Sequence, residues 1–187
     1  MLRSSLVLLL LAVSVSANAE DFDYNYLQLD YTNLDLDDIN GDGLGISGSF
    51  AINPDWHVFA GYQAVDLDFG RDVNEFNAGI GYNTELSPTV NAFARFSYEY
   101  IDLKAPGGPS NDDSGFGFGV GMRFAASEEL EIKAGIDYVD FGSGGDDTAF
   151  SLGALYSFSD AFALGLGGSW SDDVSAYNLT GRIYFGK

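Results

Sequence analysis

Asp38-Ile39-Asn40-Gly41-Asp42-Gly43 has the D-x-[DN]-x-[DN]-G order with which a loop wraps oxygen ligands around calcium. The set is incomplete. The bidentate acid belongs six residues after Gly43, and that position is Ser49, within a stretch of alternating apolar and small residues. Two readings stay open: a loose Ca²⁺ site on Asp38, Asn40 and Asp42, or a plain hairpin loop. Further Asp residues recur in clusters: Asp66, Asp68 and Asp72; Asp102, Asp112 and Asp113; Asp140, Asp146 and Asp147; Asp172 and Asp173. Hard cations, Ca²⁺ or Mg²⁺, favour such carboxylates. Asp equally suits turns and keeps a surface solvated.

A second set of charges shares its strand faces with glycine and serine: Asp30, Glu75, Arg95, Glu99, Arg123, Glu131, Lys133, Asp137 and Arg182. Enclosed together, Glu75, Arg95, Glu99, Arg123, Lys133 and Arg182 are expected either to form a selectivity ring in a small pore or to pair and plug the interior. Catalytic signals are sparse. The single histidine, His57, has Asp55 nearby and no evident Ser partner, and no cysteine supplies a thiol nucleophile or a metal thiolate. The chain is therefore read as a non-enzyme with no cofactor, apart from a loosely held Ca²⁺ or Mg²⁺ at the acidic loops. Asn178-Leu179-Thr180 matches a glycosylation sequon but falls inside a strand pattern.

The elements that position these groups follow from a two-residue period. In segment 43–52, Leu44, Ile46, Phe50 and Ile52 alternate with Gly45, Ser47, Ser49 and Ala51. Ten such strands are expected, at roughly 24–35, 43–52, 56–69, 73–82, 89–103, 114–125, 130–141, 148–158, 161–171 and 175–186. The third is ambiguous. Trp56, Val58, Ala60 and Tyr62 share one face, while Val65, Leu67 and Phe69 have the opposite parity, which predicts a bulge near Ala64. The small faces decide the solvent. A soluble barrel of lipocalin type would show water a charged exterior, whereas the sixth strand offers Gly115, Gly117, Gly119 and Gly121. The apolar face must turn to lipid and the small face to a crowded interior. The fold class is all-β: an antiparallel up-and-down transmembrane β-barrel of about ten strands. Aromatic residues at both strand ends would form two interfacial girdles. Tight turns such as Asn53-Pro54-Asp55 alternate with longer acidic loops, so an even strand number puts both termini at the turn end.

Before the barrel, Arg3, the apolar run Leu6–Val15 and Ala17-Asn18-Ala19 read as a signal peptide of residues 1–19, leaving a barrel domain of residues 20–187. Cutting there leaves a net charge near −21, compared with −20 for the whole chain. Such a chain is repelled by phosphate backbones, which excludes nucleic acid as a partner.

Several segments carry a resemblance: "YNYLQLDY", "SFAINPDWHVFAGYQA", "FNAGIGYNTELSPTVNAFARFSYEY" and "GFGVGMR". The chain resembles the small outer-membrane barrels of Gram-negative bacteria, the OmpX- and OmpA-type group in the broad sense, and more narrowly a family of short xanthomonad-type barrel proteins. The resemblance implies location in the cell outer membrane, contact with outer-membrane lipid and lipopolysaccharide, and delivery by periplasmic chaperones and the barrel-insertion machinery. It implies a monomer with a structural or cell-surface role, of the kind linked to biofilm or vesicle release; the alternative is a narrow porin-like channel. One departure stands out: the chain ends Phe185-Gly186-Lys187, displacing the terminal aromatic by two residues.

Overall fold

The structure, a computed structural model, describes residues 22–36, 39–108, 110–172 and 174–186. The expected leader, Asp37, Asp38 and Asp173 lie outside them. Ten strands run in order: β1 (Tyr26–Leu36), β2 (Ile39–Ala51), β3 (Trp56–Leu67), β4 (Arg71–Ser87), β5 (Val90–Lys104), β6 (Asn111–Ala125), β7 (Leu130–Asp140), β8 (Asp146–Ser159), β9 (Phe162–Trp170) and β10 (Ser175–Tyr184). Each pairs antiparallel with its sequence neighbours, and β1 pairs with β10 to close the barrel. Closure removes both sheet edges, so every strand has a partner on each side.

The wall is inverted relative to a soluble protein. In β6, Phe116, Phe118, Val120 and Met122 are exposed outward, while Gly115, Gly117 and Gly119 are buried inward. Leu44, Leu166 and Leu179 are likewise among the most exposed side chains. Outward aromatics stack across strands near both ends. Trp56 lies 5.1 Å from Tyr82 at the turn end, and Phe150 lies 6.2 Å from Trp170 toward the loop end.

Three sequence expectations change. First, β3 has no bulge: its register with β2 and β4 is unbroken from Trp56 to Leu67. Val65 points inward, 2 % exposed, beside the equally inward Val73. Their parity is that of the interior, which is apolar at this point. The irregularities lie instead at Glu85/Ser87 and Ser157/Ser159. Second, Asn83–Ser87 continue β4, so the turn there shrinks to Pro88-Thr89. Third, Phe69 is not in a strand. It sits in the three-residue turn Asp68–Gly70 with φ 64° and stands 76 % exposed. The left-handed conformation costs a non-glycine residue roughly 1 kcal/mol, and the following Gly70, φ 69°, takes its own positive φ without that cost.

Candidate functional site in the lumen

All six charges expected inside the barrel point inward. Arg123, Lys133, Arg182 and Arg95 come from the turn-end half or middle of β6, β7, β10 and β5. Glu75 and Glu99 come from the loop-end half of β4 and β5. They line a cavity of about 510 Å³ together with Asp30 and Asp137. Small residues make the room: the inward positions of β2 and β9 are mostly Gly, Ser or Ala, β6 turns Gly115, Gly117, Gly119 and Gly121 inward, and a Cβ on Gly81 would collide with the His57 ring.

The charges are only partly paired. Arg95 meets Asp137 at 2.7 Å. Arg123 grips both oxygens of Glu131, each at 2.7 Å, and donates to the Asp23 carbonyl. Glu99 accepts from the Ser97 hydroxyl, and Asp30 accepts from Gln28 and Thr180. Glu75, Lys133 and Arg182 have no oppositely charged partner within 4.0 Å among the described residues. Arg182 instead donates to Gln28 and lies over the Tyr26 ring at 4.0 Å; Lys133 lies 5.0 Å over Phe93. Aromatic faces thus take up part of the positive charge. The expected pairing holds for two cations and fails for two. Asp137, Glu131 and Asp23 supply the contacts, and only the closed register brings them to their partners.

The turn end of the lumen is stoppered. The segment before β1 folds inward, so that Tyr24 stacks on His57 at 4.2 Å and donates to Asn91 at 2.8 Å. The guanidinium of Arg123 sits 4.6 Å from the Tyr24 ring and 5.2 Å from that of Phe22. Tyr24, His57, Asn91, Phe93 and Arg123 are all buried there. His57 hydrogen-bonds Asn83 at 3.1 Å, and that amide donates to the Pro54 carbonyl. The histidine packs the stopper, and among the described residues it hydrogen-bonds no carboxylate or serine hydroxyl. The sequence places Tyr24 at the start of the first strand, among the aromatic residues of the turn-end girdle; instead it precedes β1 and turns inward, and Asn91 carries no sequence signal, because nothing local tells an inward-folding strand-leader from an ordinary one.

At the loop end, Asn40 and Asp42 belong to β2, which begins at Ile39 and pairs with β1 through Leu36. They stand opposite Asp35 and Asn33 in extended backbone rather than in a calcium-wrapping loop, and Asp38 lies outside the described residues. No group of three or more potential metal-binding residues occurs among the described residues. Several loop acids are likewise strand residues on the outer face: Asp42 opposes Asp66, Asp66 opposes Asp72, and Asp102 opposes Asp112.

Comparison with known proteins gives a family and a set of similar folds. The family model described as "Outer membrane protein beta-barrel domain" matches residues 5–158. No curated protein matches the chain. Among solved structures, the KdgM porin is similar with a TM-score of 0.48 at 14% identity, over 85% of this chain and 99% of its own. The NanC porin is similar with a TM-score of 0.49 at 8% identity, over 86% and 100%. Neisserial surface protein A gives 0.45 at 17% identity, over 87% and 98%.

Proposed function

The chain belongs to the outer-membrane β-barrel domain family, and from that premise we propose that it is a non-enzymatic barrel that works through its wall and its extracellular rim rather than through a pore. One observation carries this reading: the periplasmic end of the lumen is filled by Tyr24, His57, Asn91 and the Arg123–Glu131 pair. A solute crossing the barrel would have to displace a buried, hydrogen-bonded ion pair, and an uncompensated buried charge costs several kcal/mol. The role left to such a barrel is structural or surface-interacting, in the outer leaflet and beyond it. Purified protein inserted into planar bilayers, with insertion verified by protease protection, should give no steady conductance. Steps of ion current from the unaltered chain would overturn the reading.

A narrow channel is the second reading, and the 510 Å³ charged cavity favours it. It requires the stopper to move. Tyr24→Ala should then raise conductance well above that of the parent, and current from the parent should respond to Arg95 or Glu99 substitutions.

A further inference from the structure

On the wall opposite β3 and β4, the lumen has a separate recess of about 190 Å³. Its floor is Gly153 of β8 and Gly167 of β9, cross-strand partners that project nothing into the space. A Cβ on Gly153 would find only ordinary contacts, 3.5 Å to the Leu166 carbonyl and 3.8 Å to Gly167. Lys133 and Arg182 flank the recess, from β7 on one side and β10 on the other, and Ser151 and Asn178 stand between them. The same two cations also line the main cavity, so the recess opens into it.

The charge around this recess does not balance. Neither Lys133 nor Arg182 has a carboxylate within 4.0 Å among the described residues. The acids nearby are already engaged: Glu131 through both oxygens with Arg123, Asp137 with Arg95, and Asp30 with Thr180 and Gln28. Across the β6–β7 pair Lys133 stands opposite Arg123, another cation. Among the described residues the ammonium has a single aromatic face as its partner, and the hydroxyls of Ser151 and Ser169 have no hydrogen-bond partner. Two half-buried cations facing a bare floor between hydroxyl donors form an environment that an anion stabilises.

We infer that Lys133 and Arg182 form a binding site for a small oxyanion, a phosphate or carboxylate group, seated on the Gly153–Gly167 floor with Ser151 as a further donor. The arrangement suits a group with several acceptor oxygens: the ammonium takes one, the serine hydroxyl another, and Arg182, whose Nε and Nη2 already donate to Gln28, adds its remaining Nη hydrogens. Access runs from the extracellular side over β8–β10. There the inward residues Asp147, Ala149, Ser169 and Asn178 are not buried, in contrast to Thr32, Val65 and Val73 across the barrel. The site does not depend on whether the barrel conducts, because the recess is reached from that side without passing the stopper.

Inorganic phosphate is the probe. Thermal unfolding of the refolded barrel in an uncharged detergent should show a saturable rise in Tm of a few degrees as phosphate replaces chloride at constant ionic strength, since a ligand bound only by the folded state stabilises it. Lys133→Met should abolish the rise, and its own Tm without phosphate should equal or exceed the parent's, because a half-buried ammonium with no carboxylate partner is gone. Gly153→Val, which fills the floor and leaves both cations in place, should also abolish it. This variant keeps the test open should Lys133→Met fail to fold. A parent Tm indifferent to phosphate would overturn the site, as would an equal rise in a folded Lys133→Met or Gly153→Val protein.

Discussion

The Arg123–Glu131 pair shows at the scale of single residues what the interior demands. Arg123 is 4 % exposed and Glu131 18 %, and their bidentate contact is joined by the Asp23 carbonyl and two aromatic rings. Removing one partner leaves the other charge buried alone, at a cost of about 3–5 kcal/mol, whereas removing both costs far less. Arg123→Met should therefore lower the midpoint of urea unfolding sharply, and Arg123→Met with Glu131→Leu should recover most of the loss. Additive effects of the two substitutions would refute the coupling. The sequence could place these residues on the inner face by parity alone. It could not pair them, because the register of β6 with β7 sets Arg123 directly opposite Lys133, the guanidinium reaches diagonally to Glu131, and Asp23 arrives from a segment far away in the chain. That is also why Lys133, the direct cross-strand neighbour of Arg123, looked equivalent to it and is not.

Alternation identified all ten elements, since each strand turns an apolar face to lipid. It failed at their upper ends. Asp and Gly are turn residues in isolation, so 36–42 and 104–113 read as loops, yet β1 pairs with β2 up to Leu36↔Ile39 and β6 starts at Asn111. Cross-strand hydrogen bonds carry those strands past the apolar band, where the outward side chains become Asp and Asn. The supposed bulge at Ala64 failed for a related reason. An interior taken as uniformly polar left no place for Val65, which packs inward beside Val73. The extended strands bring like charges face to face: Asp66 lies between Asp42 on β2 and Asp72 on β4, all three exposed. Directly opposed like charges destabilise a sheet, and salt screens exposed ones. Asp66→Asn should raise Tm in detergent at low ionic strength, with the gain shrinking as salt is added. A gain that does not change with salt would mean the effect is not electrostatic.

Taken as a whole, the molecule is a wall with opposite demands on its two faces and a charge that belongs mostly to one end. The outer band is apolar and carries two aromatic girdles; the lumen holds its cations toward the periplasmic half; the extracellular rim collects the acids. With a net charge of −20, the unfolded chain meets a membrane surface chiefly through repulsion when that surface is anionic. The rim must also cross the hydrocarbon for the barrel to close, since the even strand number holds both ends on the side opposite the rim. Lipid charge should consequently set the rate of folding more than the final fold. Refolding from urea into vesicles of zwitterionic lipid should be faster than into vesicles doped with anionic lipid of the same chain length, as followed by the gel shift of unboiled protein. Because the repulsion acts between exposed charges across water, raising the salt from low to physiological strength shortens its reach to roughly 8 Å and should bring the two rates together. Equal rates at low salt, or faster folding into the anionic vesicles, would show that the acids are neutralised before the chain reaches the bilayer.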